Sequence, residues 1–252
     1  MTTEKINFRQ YTGKKLLSLL RGGDYAHAGE EEAIDLCMRR FPKHTACELL
    51  DVGCGLGKTA DYIQSHGYGE VTGVDIEKES IAYAQSHYAP KFLTMDVADI
   101  KEKIEQKFDI ITLFNSLYAF SNQEKALTDI YSITKTGGSI MIFEYTNLCE
   151  GKNPFYQQED KSKGILPFYP LNLTPIKKSM ENIGWQSIEI IDVSDKYQVW
   201  YINLLKKLLT AHQQVIAQFD TAYFTSAYLL YSKMLSEILR GTLGGAIIYA
   251  SK

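Results

Sequence analysis

A glycine-rich turn follows the first strongly apolar segment that contains an acidic residue. Residues 49–52 include Asp51 and lead into Gly53, Gly55 and Gly57, so glycine recurs at every second position. Glycine has no Cβ atom, and a ligand can therefore approach this backbone closely. The helix expected after the turn begins with unpaired N–H groups, which attract polar or anionic ligands. The turn therefore predicts a binding site for a small ligand.

The spacing of these glycines separates three classes of ligand. A dinucleotide site needs G-x-G-x-x-G, but the third glycine here comes one residue early and Lys58 stands where glycine is required. A phosphate-binding P-loop needs G-x-x-x-x-G-K-[ST]. Gly57, Lys58 and Thr59 supply its end, whereas Val52 occupies the position of its first glycine, so a P-loop nucleotide enzyme stays open as an alternative. The pattern D-x-G-x-G-x-G, which is present, is similar to the S-adenosylmethionine loop of class I methyltransferases.

Polar side chains also follow the next predicted strands. Asp75 ends the second strand about twenty residues past the loop, where an acidic residue can accept both hydroxyls of a ribose. The alternative is a surface Asp75 that only caps the following helix. Asp96 follows the third strand and Asn115 ends the fourth. Since ligands of open α/β sheets bind at the carboxyl ends of the strands, these residues predict one common site.

Strand and helix patterns alternate between residues 47 and 145, which predicts a mainly parallel sheet covered by helices. The predicted strands are 49–52, 71–74, 91–95, 108–114, 139–143, 185–193 and 245–250. The predicted helices are 59–66, 78–87 and 124–134, together with a helical region rich in Tyr, Phe and Leu at 198–240. Gly137 and Gly138 are expected to end the helix before them.

Residues 47–143 as a whole resemble the class I S-adenosylmethionine-dependent methyltransferases. Besides the glycine loop, residues 127–138 are similar to the family segment L-x-x-I-x-x-x-L-K-P-G-G, with Thr136 in place of proline. The resemblance implies an α/β fold with a Rossmann-like seven-stranded class I methyltransferase sheet and helical cap insertions. It implies S-adenosyl-L-methionine as cofactor and S-adenosyl-L-homocysteine as product. The cofactor-binding residues that it implies are Asp51, Gly53, Cys54, Gly55, Gly57, Asp75, Ile76, Asp96, Val97 and Asn115.

We predict a single domain, 1–252, because no Pro- or Ser-rich linker divides the chain. Its expected parts are an N-terminal arm or lid at 1–40, a cofactor-binding core at 45–147, and substrate cap elements at 148–183 and 198–240.

A second resemblance narrows the subclass. Residues 22–29 and 241–252 are similar to the N-terminal arm and closing strand of small-amine N-methyltransferases of the sarcosine/dimethylglycine and phosphoethanolamine type. The similarity implies that Tyr25 and His27 lie near the methionine end of the cofactor. Phosphoethanolamine enzymes have a histidine where Ala119 stands, and a lid arginine that residues 166–170 lack. We therefore expect a small polar amine or an amino acid as substrate, and not phosphoethanolamine.

Methylation of an amine requires loss of its proton, because its pKa lies near ~10. His27 is the first candidate base, Tyr25 an orienting hydroxyl and Glu144 a further acidic candidate. The alternative for His27 is a structural histidine at the entry of a helix. Candidate substrate-contacting aromatic residues are Tyr118, Phe120, Tyr145, Phe168, Tyr169, Trp200 and Tyr201. Most aromatic residues are core, so we expect only about two or three of them to contact an alkylammonium group.

Bulk properties restrict the partners. The chain has 27 basic and 30 acidic residues, a net charge of −3 and no basic patch for nucleic acid or membrane. Four cysteines and five histidines form no ligand spacing, so we expect reduced thiols and no metal. Residues 1–9 lack a signal sequence, and no apolar run approaches the ~20 residues of a membrane span, so a cytoplasmic protein is expected.

The sequence thus predicts an N-methyltransferase acting on a small-molecule methyl acceptor, and leaves the oligomeric state open. O- or C-methylation of a small carboxylate, phenol or isoprenoid is one alternative. A non-catalytic S-adenosylmethionine-binding regulator is another alternative, because the glycine loop and the acidic residues indicate cofactor binding but not catalysis.

Overall fold

One seven-stranded sheet forms the centre of the computed structural model, which describes residues 7–158 and 167–252. The strands are β1 (Glu48–Val52), β2 (Glu70–Asp75), β3 (Lys91–Thr94), β4 (Phe108–Phe114), β5 (Thr134–Asn147), β6 (Gln186–Asp192) and β7 (Leu243–Ser251). Their order is β3-β2-β1-β4-β5-β7-β6. Strands β1 to β5 pair in parallel, and β7 runs antiparallel between β5 and β6. The predicted seven-stranded sheet with an antiparallel pair at its edge is confirmed.

Helices cover both faces of this sheet. They are α1 (Tyr11–Arg21), α2 (Glu30–Met38), α3 (Lys58–Ser65), α4 (Lys78–His87), α5 (Ile100–Lys103), α6 (Gln123–Ile133), α7 (Leu173–Ile183), α8 (Ser194–Thr210), α9 (His212–Gln218) and α10 (Thr221–Leu239). Side chains of β5 alternate between the two faces. Ile140 and Ile142 pack with α5, α6 and α7, while Met141 and Phe143 pack with the arm helices and with α8 and α10. The site described below lies at the carboxyl ends of β1, β2, β4 and β5, where strand order reverses between β1 and β4.

The end of α6 differs from the prediction. The helix ends at Ile133, and Thr134 already has extended backbone angles of φ −80° and ψ 136°. Gly137 does have a left-handed φ of +79°, but it lies inside β5. Thr134 already pairs with Phe108 of β4, and its hydroxyl donates to the Ile130 carbonyl at 2.8 Å, which closes the last turn of the helix. The prediction that Gly137 and Gly138 end the helix was wrong.

The segments predicted as caps divide into two kinds. In the first, α7 buries Ile176 and Met180 in the same apolar cluster as Leu127 of α6, so it belongs to the helical layer of the core. In the second, 198–240 forms most of α8 and the whole of α9 and α10, which pack over the opposite face. Residues 1–6 of the predicted arm and 159–166 of the predicted cap lie outside the described residues. Among the ten helices given above, none has the length and apolar composition of a membrane span.

Candidate active site

The glycine loop is anchored to the neighbouring strand β2. The N–H groups of Gly53 and Cys54 donate to the Val74 carbonyl at 2.7 and 3.0 Å. The N–H of Gly55 donates to Asp75 Oδ2 at 2.8 Å. The loop and the predicted ribose-binding acid therefore form one unit with a fixed geometry.

Gly53 is a position where only glycine fits. Its φ is +81°, and a Cβ atom would lie 2.4 Å from the Cβ of Ser116. Gly67 offers a matched control, because its φ is +82° but nothing lies within 4 Å of its Cβ position. We expect Gly67→Ala to lower the free energy of unfolding by ~1 kcal/mol and Gly53→Ala by ~2–4 kcal/mol, since steric overlap adds to the backbone strain. Urea denaturation measures both losses, and equal losses would contradict the close contact.

Asp51 carries a buried oxygen that is free to accept a hydrogen bond. Its Oδ1 accepts from the Thr112 hydroxyl at 3.1 Å, whereas Oδ2 has no partner among residues 7–158 and 167–252. Burial raises the pKa of Asp51 to about 7, and the nearby charge of Asp75 acts in the same direction. A buried carboxylate oxygen without a partner is costly, so this position suits a cationic or N–H-bearing ligand group.

Asp75 is held by donors from three directions. Oδ2 accepts from Gly55, Oδ1 accepts from the Glu77 N–H at 2.9 Å, and Lys14 Nζ lies 3.2 and 3.3 Å from the two oxygens. Lys14 also donates to Ser80 Oγ at 3.2 Å. Sequence reasoning missed Lys14. The available signal was its position three residues before the buried Leu17, on the inward face of α1.

The other predicted cofactor residues lie beside Asp75. The N–H of Met95 donates to the Asp75 carbonyl at 2.9 Å, which brings the 95–97 segment against the end of β2. Asp96 caps the following turn through Ala98 N–H at 2.9 Å, and Val97 is half-buried. Ile76 exposes 67% of its surface, which is unusual for an isoleucine next to a buried aspartate. The edge thus presents an apolar surface flanked by two carboxylates.

The contacts of Lys58 and Thr59 do not support the P-loop alternative. Lys58 Nζ pairs with Asp61 Oδ2 at 3.1 Å, and Thr59 Oγ1 lies 3.0 Å from His27 Nε2. Both side chains are thereby committed to protein partners, whereas a P-loop needs them on phosphate and magnesium.

Asn115 connects the arm to the end of β5. Its backbone has a left-handed φ of +47°, a strained value that is often found at functional sites. Its Oδ1 accepts from the Ala28 N–H at 3.2 Å. Its Nδ2 donates to Glu144 Oε1 at 3.2 Å and to the Tyr197 hydroxyl at 2.8 Å. Tyr197, which is fully buried on α8, was missed by sequence reasoning because it looked like one more core aromatic residue.

Glu144 is a fully buried carboxyl group beside Asn115. Besides the amide of Asn115, the N–H groups of Tyr118 and Tyr145 donate to it at 3.0 and 2.8 Å. Burial raises the pKa of Glu144 to about 7, although these hydrogen bonds act in the opposite direction. Glu144 therefore changes its protonation state near neutral pH.

The raised pKa values of Asp51 and Glu144 predict how stability depends on pH. Their unfolded values lie near ~4, so between about pH 4 and pH 7 the folded chain keeps protons that the unfolded chain releases. The free energy of unfolding should therefore fall as pH rises through this window, by up to ~3–4 kcal/mol for each group. Urea denaturation from pH 5 to pH 8 tests this, and Asp51→Asn and Glu144→Gln should each flatten the curve. The exposed Glu70→Gln is the control, and identical slopes in all four proteins would contradict the prediction.

His27 and Tyr25 are buried residues of the arm, and their polar atoms have protein partners. His27 Nδ1 lies 3.0 Å from the Ala28 carbonyl, so Nδ1 carries the proton and Nε2 accepts from the Thr59 hydroxyl. Burial lowers the pKa of His27 to about 3, which keeps the ring neutral. The Tyr25 hydroxyl donates to Glu31 Oε1 at 2.8 Å. These contacts favour a role in holding the arm on the glycine loop, and the prediction of His27 as base stays a prediction.

Four of the predicted aromatic residues surround the Glu144 end of the site. The ring of Tyr118 lies 5.2 Å from Tyr145 and 4.8 Å from Phe168, and Tyr145 and Phe168 are 5.6 Å apart. The hydroxyls of Tyr145 and Tyr201 are 2.5 Å apart. This group forms an aromatic wall with polar tips.

The remaining aromatic residues have other roles. Trp200 donates from Nε1 to Glu32 Oε2 at 2.8 Å, and a Cβ atom on Gly29 would lie 2.6 Å from its indole. Trp200 thus holds the arm in place. The ring of Tyr169 packs against Tyr156 at 5.2 Å, and Phe120 belongs to the apolar cluster on the other face.

Comparisons with known proteins agree with this fold. A family model described as a methyltransferase domain matches residues 43–185. Juvenile hormone acid O-methyltransferase of Bombyx mori is 26% identical over 182 residues, which are 65% of each chain. A Haemonchus contortus phosphoethanolamine N-methyltransferase 2, solved with phosphomonomethylethanolamine and S-adenosylhomocysteine, superposes with a TM-score of 0.84 at 18% identity. That match covers 98% of this chain and 60% of the nematode chain.

A cyclopropane synthase of Mycobacterium tuberculosis superposes with a TM-score of 0.81 at 14% identity over the whole of both chains. The chain therefore shares one fold with enzymes of different chemistry, and it spans under two thirds of the silkworm and nematode proteins. Because the family model covers more than half of it, the chain belongs to the methyltransferase-domain family, with the class I sheet that its sequence predicted.

Proposed function

We propose that this chain transfers a methyl group from S-adenosyl-L-methionine to the nitrogen of a small polar amine or amino acid. The observation that carries the cofactor part of the proposal is the buried Oδ2 of Asp51 beside the glycine loop, which has no partner among residues 7–158 and 167–252. The buried Glu144 beside the aromatic wall supports the acceptor part. The ammonium group of the cofactor suits this oxygen. Asp75 would hold the ribose hydroxyls, and the surface between Ile76 and Asp96 would take the adenine.

The cofactor supplies an electrophilic methyl group on a sulfonium ion, and the chain positions the nucleophile in line with it. Glu144 is the residue best placed to take the amine proton. Its carboxylate is oriented by Asn115 and by two backbone N–H groups, and its pKa of about 7 suits proton transfer near neutral pH. The ring faces of Tyr118, Tyr145 and Phe168 would contact a charged amine and exclude water, with ~0.5–2 kcal/mol for each cation–π contact.

Methylation of a carboxylate oxygen is the second candidate, because the silkworm relative is named as an acid O-methyltransferase. In that case Glu144 has no proton to remove. A protein that binds the cofactor without catalysis is the third candidate, since Asp51 and Asp75 would contact only the cofactor and not the methyl acceptor.

Two experiments distinguish the candidates. Calorimetric titration with S-adenosylhomocysteine tests the cofactor site, and absence of binding would overturn the proposal. Mass spectrometry then screens small amines, amino acids, phenols and carboxylic acids with S-adenosylmethionine. An N-methylated product supports the proposal, a base-labile methyl ester supports the second candidate, and cofactor binding without any product supports the third.

A further inference from the structure

The side-chain amide of Asn115 is held in one orientation by three separate elements. Its Oδ1 accepts from the Ala28 N–H at 3.2 Å, and because a backbone N–H can only donate, Nδ2 must point the other way. The two hydrogens of Nδ2 match its two acceptors, Glu144 Oε1 at 3.2 Å and the Tyr197 hydroxyl oxygen at 2.8 Å. Since an amide is planar, the acceptor that holds one of these hydrogens also sets the direction of the other.

Tyr197 is packed firmly enough to set that direction. It is fully buried in the first turns of α8, and its ring centre lies 5.2 Å from that of Phe143 and 5.4 Å from that of Tyr145. Gly245 of β7 makes room for the ring, because a Cβ atom there would lie 2.2 Å from Tyr197 Cε2. A side chain enclosed in this way has little freedom to move, so its hydroxyl oxygen is a fixed acceptor.

The Tyr197 hydroxyl is directed at Asn115. Within residues 7–158 and 167–252, Asn115 is the hydrogen-bond partner of this hydroxyl and there is no other. Phenylalanine would fill almost the same space, and it has no polar atom that must be satisfied on burial. The hydrogen bond to Asn115 therefore explains why a tyrosine is present at this buried position.

Several ionisable groups surround Glu144. Three tyrosine hydroxyls interact with its charge, those of Tyr118, Tyr197 and Tyr201, and burial raises the pKa of each, so they stay neutral near pH 7. The arm contributes His27, which burial keeps neutral, and the permanently charged Arg9, whose guanidinium lies 4.9 Å from the ring centre of Tyr118. Glu144, whose pKa burial raises to about 7, is the member of this group that changes charge there.

We propose that Tyr197 is a positioning residue for Glu144. It accepts one N–H of Asn115 and so directs the other N–H at the carboxylate that takes the amine proton. This inference rests on the proposed function and deepens it. Tyr197 acts through Asn115, so removal of its hydroxyl should weaken both the orientation of Glu144 and the hydrogen bond that favours its charged form.

Tyr197→Phe removes the hydroxyl and keeps the ring. Isotope-edited NMR of the glutamate carboxyl groups follows the titration of Glu144 without substrate, and Glu144→Gln assigns the signal by its loss. We expect the midpoint to rise by ~0.5–1 pH unit in Tyr197→Phe, since a charge-assisted hydrogen bond is weakened. Tyr249→Phe is the matched control, because Tyr249 is also buried and its hydroxyl donates to the Cys37 carbonyl at 2.9 Å. This control should leave the midpoint unchanged.

Asn115→Asp is a second variant, which keeps the size of the side chain but removes both N–H donors. It also places a carboxylate beside Glu144, so the midpoint should rise further than in Tyr197→Phe. Binding of S-adenosylhomocysteine near the wild-type level shows that each variant is folded. A wild-type midpoint in folded Tyr197→Phe would overturn the proposed role of Tyr197, as would an equal rise in Tyr249→Phe.

Methyl transfer provides a readout that a purely structural role of Tyr197 would not reproduce. Tyr197→Phe should lower kcat by ~5–20-fold and move the rise of kcat/KM with pH to higher pH, with little change in KM for S-adenosylmethionine. In a Glu144→Gln background the same substitution should lower kcat less than ~2-fold, because the residue through which Tyr197 acts is already lost. Equal losses in the two backgrounds would overturn the positioning role.

These measurements separate the present inference from the proposed function. A raised midpoint together with absence of any N-methylated product would support the link from Tyr197 to Glu144 and overturn the proposed function. N-methylation that depends on Glu144, with a wild-type midpoint and pH profile in Tyr197→Phe, would overturn only the present inference.

Discussion

Asp75→Asn should weaken S-adenosylhomocysteine binding by ~1.5–3 kcal/mol, the value of a lost charge-assisted hydrogen bond. It should also destabilise the protein, because the Lys14 and Asp75 side chains are each 9% exposed and the lysine would be left buried without its partner. Removing one member of a buried pair typically costs ~3–5 kcal/mol. Calorimetry and urea denaturation measure the two effects separately.

The double variant Lys14→Met/Asp75→Asn separates the roles of Asp75. Replacing both charges removes the unpaired lysine, so most of the lost stability should return. Cofactor affinity should stay low, because the carboxylate is still absent. The surface pair Lys58–Asp61 supplies the control, since Asp61→Asn should cost less than ~1 kcal/mol and leave binding unchanged. Wild-type affinity in the double variant would show that Asp75 is only a partner for Lys14.

The Lys14 contact also bears on how the arm and the cofactor site are linked. Both oxygens of Asp75 already accept a backbone N–H and lie within 3.3 Å of Lys14 Nζ. A carboxylate oxygen has about two acceptor sites. If Asp75 holds the ribose hydroxyls as proposed, they must share or replace the contacts of Lys14, and cofactor binding would then be coupled to docking of α1 through this side chain.

The parts of the site that could be predicted from sequence have local causes. Gly53 has a left-handed backbone, and Asp75 and Asn115 lie at strand ends, which the alternation of strands and helices already indicates. Such features are specified by a few neighbouring residues. The sheet and the glycine loop were therefore within reach of sequence reasoning.

The parts that were missed depend on contacts between distant segments. Lys14 and Arg21 lie on a helix whose charged residues look solvated in sequence, and only packing of α1 on the core buries Lys14 and the Nε and Nη1 atoms of Arg21. Tyr25 and His27 were predicted as site residues, but their partners Glu31 and Thr59 are selected by packing of the arm. The sequence alone does not show which way a side chain points when its partner lies far along the chain.

Glu144→Gln should lower kcat by ~10²-fold or more if Glu144 takes the amine proton, while S-adenosylhomocysteine binding stays near that of the wild type. In the wild type, kcat/KM should rise with pH through about 7, because the carboxyl group must lose its proton before it can act as a base. This rise is the limb of the pH–rate profile near pH 7, and the glutamine variant should lack it. A pH–rate profile of both proteins measures the difference.

His27→Ala distinguishes the two candidate bases. With a pKa of about 3, His27 stays neutral throughout the accessible range and cannot produce a limb near pH 7. If Glu144 is the base, His27→Ala keeps the limb and loses activity only through looser docking of the arm. If Glu144→Gln retains wild-type activity and His27→Ala loses it by ~10²-fold, the base is His27 and the assignment to Glu144 is wrong. Because a glutamine amide would turn its own N–H toward the donors that now bind the carboxylate, Glu144→Asp, which keeps the charge, should retain more activity than Glu144→Gln.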